Sequence, residues 1–129
     1  MKTRVLLVDD ERDFLDIMAE RIRARGIVVS TATSAEEAAK IVEMDSYDIV
    51  IMDFMMPPMD GFTALKLLKD IQPEIQVILL TGDATADKCS EALKLGALDV
   101  IEKPPDLNLL IQKIKDAKAR KPNPATCNQ

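Results

Sequence analysis

Five short apolar runs alternate with five amphipathic segments along this chain. The first run, residues 5–8, is unbroken and β-branched at both ends, which is typical of a strand buried on both faces. Further strands are predicted to begin at 27 and to span 48–53, 77–80 and 98–102. Strands of this length that alternate with helices predict a parallel sheet covered on both faces.

The segments between these runs carry apolar residues at steps of three and four, which is helical spacing. The first such stripe, residues 14–22, is stopped by Gly26. Ser34 and Glu37 form a capping-box pattern at the start of the second helix, and Asp106 is the predicted cap of the last. The third, fourth and fifth helices are predicted at 63–71, 86–95 and 107–120.

The whole chain has 129 residues, which fits one domain. A (β/α)₈ barrel needs roughly 250 residues, so an open, doubly wound α/β sheet remains. Two prolines and a glycine predict a loop at 56–61. We expect the domain to span residues 1–120 and residues 121–129 to be a C-terminal tail or the remnant of a linker.

The chain contains no histidine and only two cysteines. A Ser-His-Asp or Cys-His nucleophile is therefore excluded, and so are the usual zinc sites. Cys89 and Cys127 form no CxxC motif, which favours two reduced thiols in a cytoplasmic protein. No apolar run approaches the length of a membrane span, so no contact with a membrane is expected.

The net charge of −5 is unevenly distributed. Residues 117–129 carry three bases and no acid, so residues 1–116 hold 14 bases against 22 acids, or −8. Such an acidic body argues against direct binding to nucleic acid.

Polar side chains finish four of the five predicted strands. Asp9 and Asp10 follow the first strand, Asp53 ends the third, Thr81 follows the fourth and Lys103 follows the fifth. In open α/β sheets, ligands bind at this edge, near the point where strand order reverses. Taken singly, each of them could have an ordinary structural role: the first two aspartates and Thr81 as helix caps, Asp53 in a turn, and Lys103 as a solvated lysine.

Three carboxylates that converge on one edge repel each other, and a cation would relieve that repulsion. Without histidine or thiolate nearby, the cation should prefer oxygen ligands, and Mg²⁺ fits best. A backbone carbonyl after Asp53 could add a ligand. A lysine ammonium and a threonine hydroxyl suit a phosphoryl group. An aspartate beside Mg²⁺ and lysine can attack phosphorus and form an acyl phosphate.

These motifs resemble, in their order and spacing, the receiver domain of two-component response regulators, over residues 3–119. The resemblance rests on Leu7-Val-Asp-Asp-Glu11, Asp53-Phe-Met-Met-Pro-Pro-Met-Asp-Gly61, Leu80-Thr81-Gly82, Gly96-Ala97 and Lys103-Pro104. It implies a flavodoxin-like (βα)₅ fold with strand order 2-1-3-4-5. It also implies a cis peptide bond between Lys103 and Pro104.

By this resemblance, Asp53 accepts a phosphoryl group from a phosphohistidine on a sensor histidine kinase or a histidine phosphotransfer protein. The implied metal ligands for Mg²⁺ are Asp9, Asp10, Asp53 and the main-chain carbonyl of Met55. Thr81 and Lys103 would contact the phosphoryl oxygens. The domain would be a phosphoacceptor with slow autophosphatase activity and not an enzyme. The missing histidine would then belong to the partner.

Two positions depart from the commonest receiver pattern. Val100 stands where the family often has an aromatic residue, and Gly82 stands where alanine is common. Valine is small and stiff at χ1, so the usual aromatic movement is not expected. We therefore expect phosphorylation to change the surface of the fourth helix, fifth strand and fifth helix (the α4-β5-α5 surface) through backbone movement at 81–84. An unknown downstream protein would bind there, and a homodimer through it is possible.

Three other kinds of protein share parts of this pattern. A phosphatase of the haloacid-dehalogenase kind would need an acid where Met55 stands. A nucleotide or flavin module would need a glycine- or hydroxyl-rich loop where Asp9-Asp10-Glu11 stands. A receiver that never takes phosphate would not need the complete set of polar residues. The chain is either a free-standing receiver or a fragment of a larger transcriptional regulator.

Overall fold

Five parallel strands form the central sheet of the computed structural model, which describes residues 2–120. The strands are β1 (Arg4–Val8), β2 (Val28–Ala32), β3 (Ile49–Asp53), β4 (Val77–Thr81) and β5 (Asp99–Glu102). The helices are α1 (Arg12–Arg23), α2 (Ala35–Met44), α3 (Gly61–Ile71), α4 (Ala86–Lys94) and α5 (Leu107–Arg120). The strand order is β2-β1-β3-β4-β5, which confirms the doubly wound α/β fold.

The two faces of the sheet support separate cores because alternate residues of a strand point to opposite sides. In β1, Leu6 and Val8 pack in the cluster that includes α2, α3 and α4. Val5 and Leu7 pack in the cluster that includes α1 and α5. Every residue of β3 and β4 is buried, as expected for the inner strands of a sheet covered on both faces.

The five helices are anchored very unequally. Each of α1, α2, α3 and α5 buries four residues against the sheet. Helix α4 buries only Ala92. Since burial of apolar area provides most of the packing energy, α4 is the most weakly held helix of the domain.

The helix starts largely follow the predicted caps. The Ser34 hydroxyl accepts a hydrogen bond from the Glu37 backbone N–H at 3.0 Å. A carboxylate oxygen of Asp106 accepts backbone hydrogen bonds at the start of α5. The cap of α4 is Thr85, so the alternative role of Thr81 as a helix cap is wrong.

The loop predicted at 56–61 is partly regular. Met55–Met56 and Met59–Asp60 form a short antiparallel ribbon. Helix α3 begins at Gly61, two residues before the predicted start, because the Asp60 carboxylate caps it. The spacing of apolar residues did not reveal this first turn, because it begins with a capping acid followed by a glycine.

Within residues 2–120, no helix is long and apolar enough to cross a membrane. The predicted tail 121–129, with Cys127, lies outside the described residues. Its assignment as a tail or linker remnant stays a prediction.

Candidate functional site

Asp9, Asp10 and Asp53 meet at the carboxyl ends of two neighbouring strands. Strands β1 and β3 pair in parallel, so the residues that finish them lie side by side. Asp9 and Asp53 are buried and Asp10 is exposed. One carboxylate oxygen from each residue lies within 4.8 Å of the others. The predicted convergence of the three acids is therefore present.

The buried position of Asp53 makes its charge costly. Burial, followed by the nearby charge of Asp9, raises the pKa of the Asp53 carboxyl above its ordinary value. Asp9 is held by a hydrogen bond of 2.8 Å from the Glu11 backbone N–H. The Met55 backbone N–H makes a longer contact of 3.5 Å with Asp53. Backbone donors thus fix the two buried acids without neutralising them.

This set of donors fits a divalent cation. All three side chains offer oxygen, and the exposed Asp10 leaves a path from solvent. Mg²⁺ prefers such oxygen ligands and keeps several water molecules, which needs an open site. A dication would also offset the repulsion that raises the pKa of Asp53. Whether the Met55 carbonyl takes part stays a prediction.

Lys103 reaches the same cluster from the end of β5. Its Nζ lies 2.8 Å from Asp9 Oδ2, 2.9 Å from Glu11 Oε1 and 3.5 Å from Asp53 Oδ2. Only 16% of its side chain is exposed, so the alternative of a solvated lysine is wrong. Burial would lower the pKa of Lys103, but the hydrogen bonds to Asp9 and Glu11 outweigh it and raise the pKa.

The Lys103 ammonium also lies over the ring of Phe14, 4.5 Å from its centroid. A ring face attracts a cation and limits where the flexible lysine stem can go. The backbone N–H of Lys103 donates to the Thr81 carbonyl at 2.8 Å. The peptide bond between Lys103 and Pro104 is cis, as the resemblance implies.

Thr81 lies at the end of β4 and is buried. Its Oγ1 accepts hydrogen bonds from the Asp83 backbone N–H and from Lys88 Nζ, each at 3.2 Å. A hydroxyl has one proton to donate, and two accepted bonds leave that proton for another acceptor. Thr81 is therefore prepared to donate to an anion.

Sequence reasoning missed Lys88 and Phe54. Lys88 lies in the first turn of α4, and its Nζ is 4.5 Å from the centroid of the Phe54 ring. Phe54 directly follows Asp53 and packs edge-on against Phe62 at 4.9 Å. A signal existed, because a lysine in the first turn of a helix has the wrong sign for the helix dipole.

Val100 and Gly82, the two departures from the commonest receiver pattern, differ in how tightly they are surrounded. Val100 is half-buried and packs against the cluster under α2, α3 and α4. A Cβ added at Gly82 would meet no atom within 4 Å, so there is open space directly beside Thr81.

A model of the family described as "Response regulator receiver domain" matches residues 5–115. This chain belongs to that family. The assignment confirms the resemblance and identifies the chain as a response regulator receiver domain. It leaves the nucleotide or flavin module without support.

Relatives of this receiver domain include longer regulators. Response regulator SaeR of Staphylococcus epidermidis is 41% identical over 102 residues, which cover 79% of this chain and 44% of SaeR. Transcriptional regulatory protein ZraR of Escherichia coli is 35% identical over 115 residues, which cover 89% of this chain and 26% of ZraR. The chain spans less than half the length of these relatives.

Solved receiver domains have the same fold. A response regulator receiver domain from Clostridium thermocellum superposes with a TM-score of 0.86 at 34% identity, covering 92% of this chain and 96% of that one. The beryllofluoride-activated NtrC4 receiver domain gives a TM-score of 0.86 at 29% identity, covering 92% and 98%.

Proposed function

We propose that this receiver domain takes a phosphoryl group onto Asp53 from a phosphohistidine of a sensor histidine kinase or histidine phosphotransfer protein. One observation carries the proposal: Asp53 is a buried carboxylate with a raised pKa, and acids, a hydroxyl and an ammonium lie at the same edge of the sheet, at the ends of β1, β4 and β5. No histidine in the chain could serve as donor.

In the transfer, an oxygen of ionised Asp53 attacks phosphorus and forms a P–O bond. The P–N bond to the donor imidazole breaks, its electron pair stays on nitrogen, and that nitrogen takes up a proton. The phosphoryl oxygens would then meet the Lys103 ammonium and the Thr81 hydroxyl. Positioning and charge compensation provide most of the catalysis in such transfers.

Asp9, Asp10, Asp53 and the main-chain carbonyl of Met55 would hold Mg²⁺. When bound, the ion neutralises charge that builds up on the phosphoryl oxygens. Lys103 and Asp9 have a further task, because their contact must open if Asp9 is to serve as a metal ligand and Lys103 as a phosphoryl contact.

Water would slowly attack the phosphorus of the aspartyl phosphate, break its P–O bond to Asp53 and release inorganic phosphate with the free carboxylate. The domain thus acts as a phosphoacceptor with autophosphatase activity and not as a phosphatase. A phosphatase of the haloacid-dehalogenase kind needs a second acid two residues after the nucleophile. Met55 occupies that position, and its side chain is exposed. This supports the switch over the enzyme.

The output would be a change of the α4-β5-α5 surface. With Val100 in place of an aromatic, movement of the backbone at 81–84 would carry the change, and the open space beside Gly82 allows it. The exposed Leu93 and Leu109 on α4 and α5 suit a downstream protein or a second copy of the chain. The net negative charge of residues 1–116 favours protein partners over direct contact with nucleic acid or membrane. These partners would be met in the cytoplasm.

A second candidate function is the receiver part of a longer transcriptional regulator. It is favoured by the relatives named transcriptional regulatory proteins, of which this chain spans about a quarter. In that case residues 1–120 would be the receiver and 121–129 a piece of linker.

Intact-mass measurement tests the phosphoacceptor role. The protein is incubated with Mg²⁺ and either acetyl phosphate or phosphoramidate, whose P–N bond mimics phosphohistidine. We expect one added phosphoryl group in the wild type and in Asp16→Asn, an exposed acid on α1, but none in Asp53→Asn. An adduct that persists in Asp53→Asn, or none in the wild type, would overturn the proposal.

A further inference from the structure

Lys88 places a second ammonium beside the phosphoacceptor, from an element that the family motifs do not include. Lys88 belongs to the first turn of α4, three residues after the cap Thr85, and it is half-buried. Helical side chains point back towards the N-terminus, which explains how the ammonium reaches past its own helix towards the sheet. There Nζ lies 3.2 Å from Thr81 Oγ1.

Both contacts of the Lys88 ammonium lie one residue beyond a paired position of the sheet. Asp53 pairs with Leu80 across β3 and β4, and Thr81 is the next residue of β4. Phe54 is the next residue after Asp53, and its backbone N–H donates to the Leu80 carbonyl at 2.7 Å. Lys88 therefore spans the two strand ends that frame the phosphoacceptor.

The charge of Lys88 is poorly compensated in this state. Among residues 2–120, none of the ion pairs within 4.0 Å involves Lys88. Its contacts are a neutral hydroxyl and a ring face. In addition, the N-terminal end of a helix is positive and repels a cation in its first turn. An anion between Thr81 and the start of α4 would remove both penalties.

We propose that Lys88 is a further phosphoryl-binding residue of this receiver, which turns from Thr81 and Phe54 to the phosphoryl oxygens on Asp53. This inference rests on the proposed phosphorylation of Asp53. A charge-assisted bond to phosphate is stronger than the bond to a hydroxyl, so the new anion favours the exchange.

The exchange has two consequences. It withdraws one donor from Thr81, whose hydroxyl then turns towards the same oxygens. It also draws the first turn of α4 towards the site, because the lysine stem belongs to that helix. With only Ala92 buried, α4 offers little resistance to such a shift. Lys88 thereby links the phosphoryl group to α4 in a protein that has Val100 in place of an aromatic.

Beryllofluoride binding tests the inference, since the adduct mimics a phosphoryl group on aspartate. Amide spectra of the wild type, Lys88→Met, Lys88→Arg and Lys94→Met are followed during titration with beryllofluoride and Mg²⁺. Lys88→Met keeps the length of the stem without its charge, and Lys94→Met removes one charge from the exposed end of the same helix. Thermal unfolding first establishes that each variant is folded, and Lys88→Gln replaces Lys88→Met if that variant does not fold.

We expect Lys88→Met to weaken beryllofluoride binding about tenfold, the scale of one lost hydrogen bond to a charged group. The shifts at 84–89 should shrink in this variant and be restored by Lys88→Arg, whereas Lys94→Met should resemble the wild type. Equal affinity and equal shifts in Lys88→Met would overturn the role of Lys88 and leave the phosphorylation of Asp53 intact. A wild type that binds no beryllofluoride would overturn both.

Discussion

Lys103 and Asp9 are 94 residues apart in the sequence, yet Nζ of the lysine lies 2.8 Å from an oxygen of the aspartate. The bond joins the ends of β5 and β1, which are not neighbours in the sheet. It places a tethered cation within the acid cluster where a metal ion would lie. Binding of a metal ion by these acids would therefore be coupled to the position of Lys103.

Removal of the Lys103 charge should separate these two roles. In Lys103→Met the acid cluster loses a positive charge at short range, so we expect its affinity for Mg²⁺ to rise about threefold or more. Phosphorylation by acetyl phosphate should fall, since the phosphoryl oxygens lose their ammonium contact. Calorimetric titration and intact mass measure the two effects. Lys66→Met, on the exposed face of α3, is the matched control, and weaker Mg²⁺ binding in Lys103→Met would contradict the coupling.

Neutralising Asp53 should stabilise the fold in the absence of metal. Burial and the charge of Asp9 raise the pKa of Asp53, so its ionised form is less favourable in the folded than in the unfolded chain. We expect Asp53→Asn to raise the free energy of unfolding at pH 7 by about 0.5–2 kcal/mol, the scale of ordinary stabilising substitutions. Urea unfolding measures this, with Asp16→Asn as the control.

The sign of the pH dependence follows from the same shift. Ionised Asp53 lowers the free energy of unfolding, and this loss is complete at pH values above its raised pKa. The loss vanishes as the pH falls below the ordinary value of 3.8, where the carboxyl is protonated in both the folded and the unfolded chain. The stability advantage of Asp53→Asn should therefore shrink in acid. A constant advantage from pH 7 down to about pH 3.5 would show that charge is not its cause.

Asp10 should matter for metal and little for the fold. It is the exposed member of the cluster, so Asp10→Asn would remove a proposed ligand without disturbing the core. We expect Mg²⁺ to bind about tenfold more weakly, and the rise in unfolding temperature on adding Mg²⁺ to shrink accordingly. Asp13→Asn, an exposed acid in the first turn of α1, should behave like the wild type. Equal Mg²⁺ affinity in Asp10→Asn would remove this residue from the ligand set.

Gly61 and Gly82 should respond oppositely to the same added methyl group. A Cβ at Gly61 would clash with the buried Phe54 ring, whereas a Cβ at Gly82 would meet nothing within 4 Å. We expect Gly61→Ala to lower the free energy of unfolding by about 1–3 kcal/mol through overpacking. Gly82→Ala should be neutral or slightly stabilising because it restricts the unfolded chain. Urea unfolding of both variants measures these changes. An unchanged free energy of unfolding in Gly61→Ala would show that Phe54 moves freely.

The sheet and the acid cluster could be predicted because they depend on order along the chain. Once β1 and β3 are neighbours, Asp9 and Asp53 must meet at one edge, whatever the details of packing. The contacts of Lys88 and Phe14 could not be predicted, since they depend on the rotamers of long side chains across different elements. Helix starts were missed where a cap and a glycine replaced the apolar pattern, as at Asp60.

Helix α4 buries a single residue, which affects its local unfolding as well as its response to phosphorylation. Local unfolding costs least where little apolar surface is buried, so amide protons of α4 should exchange with solvent sooner than those of α1 or α5. A ligand that ties Lys88 to the sheet would slow that exchange. Phosphorylation would then be detected as slower amide exchange in α4, even if no strand moved.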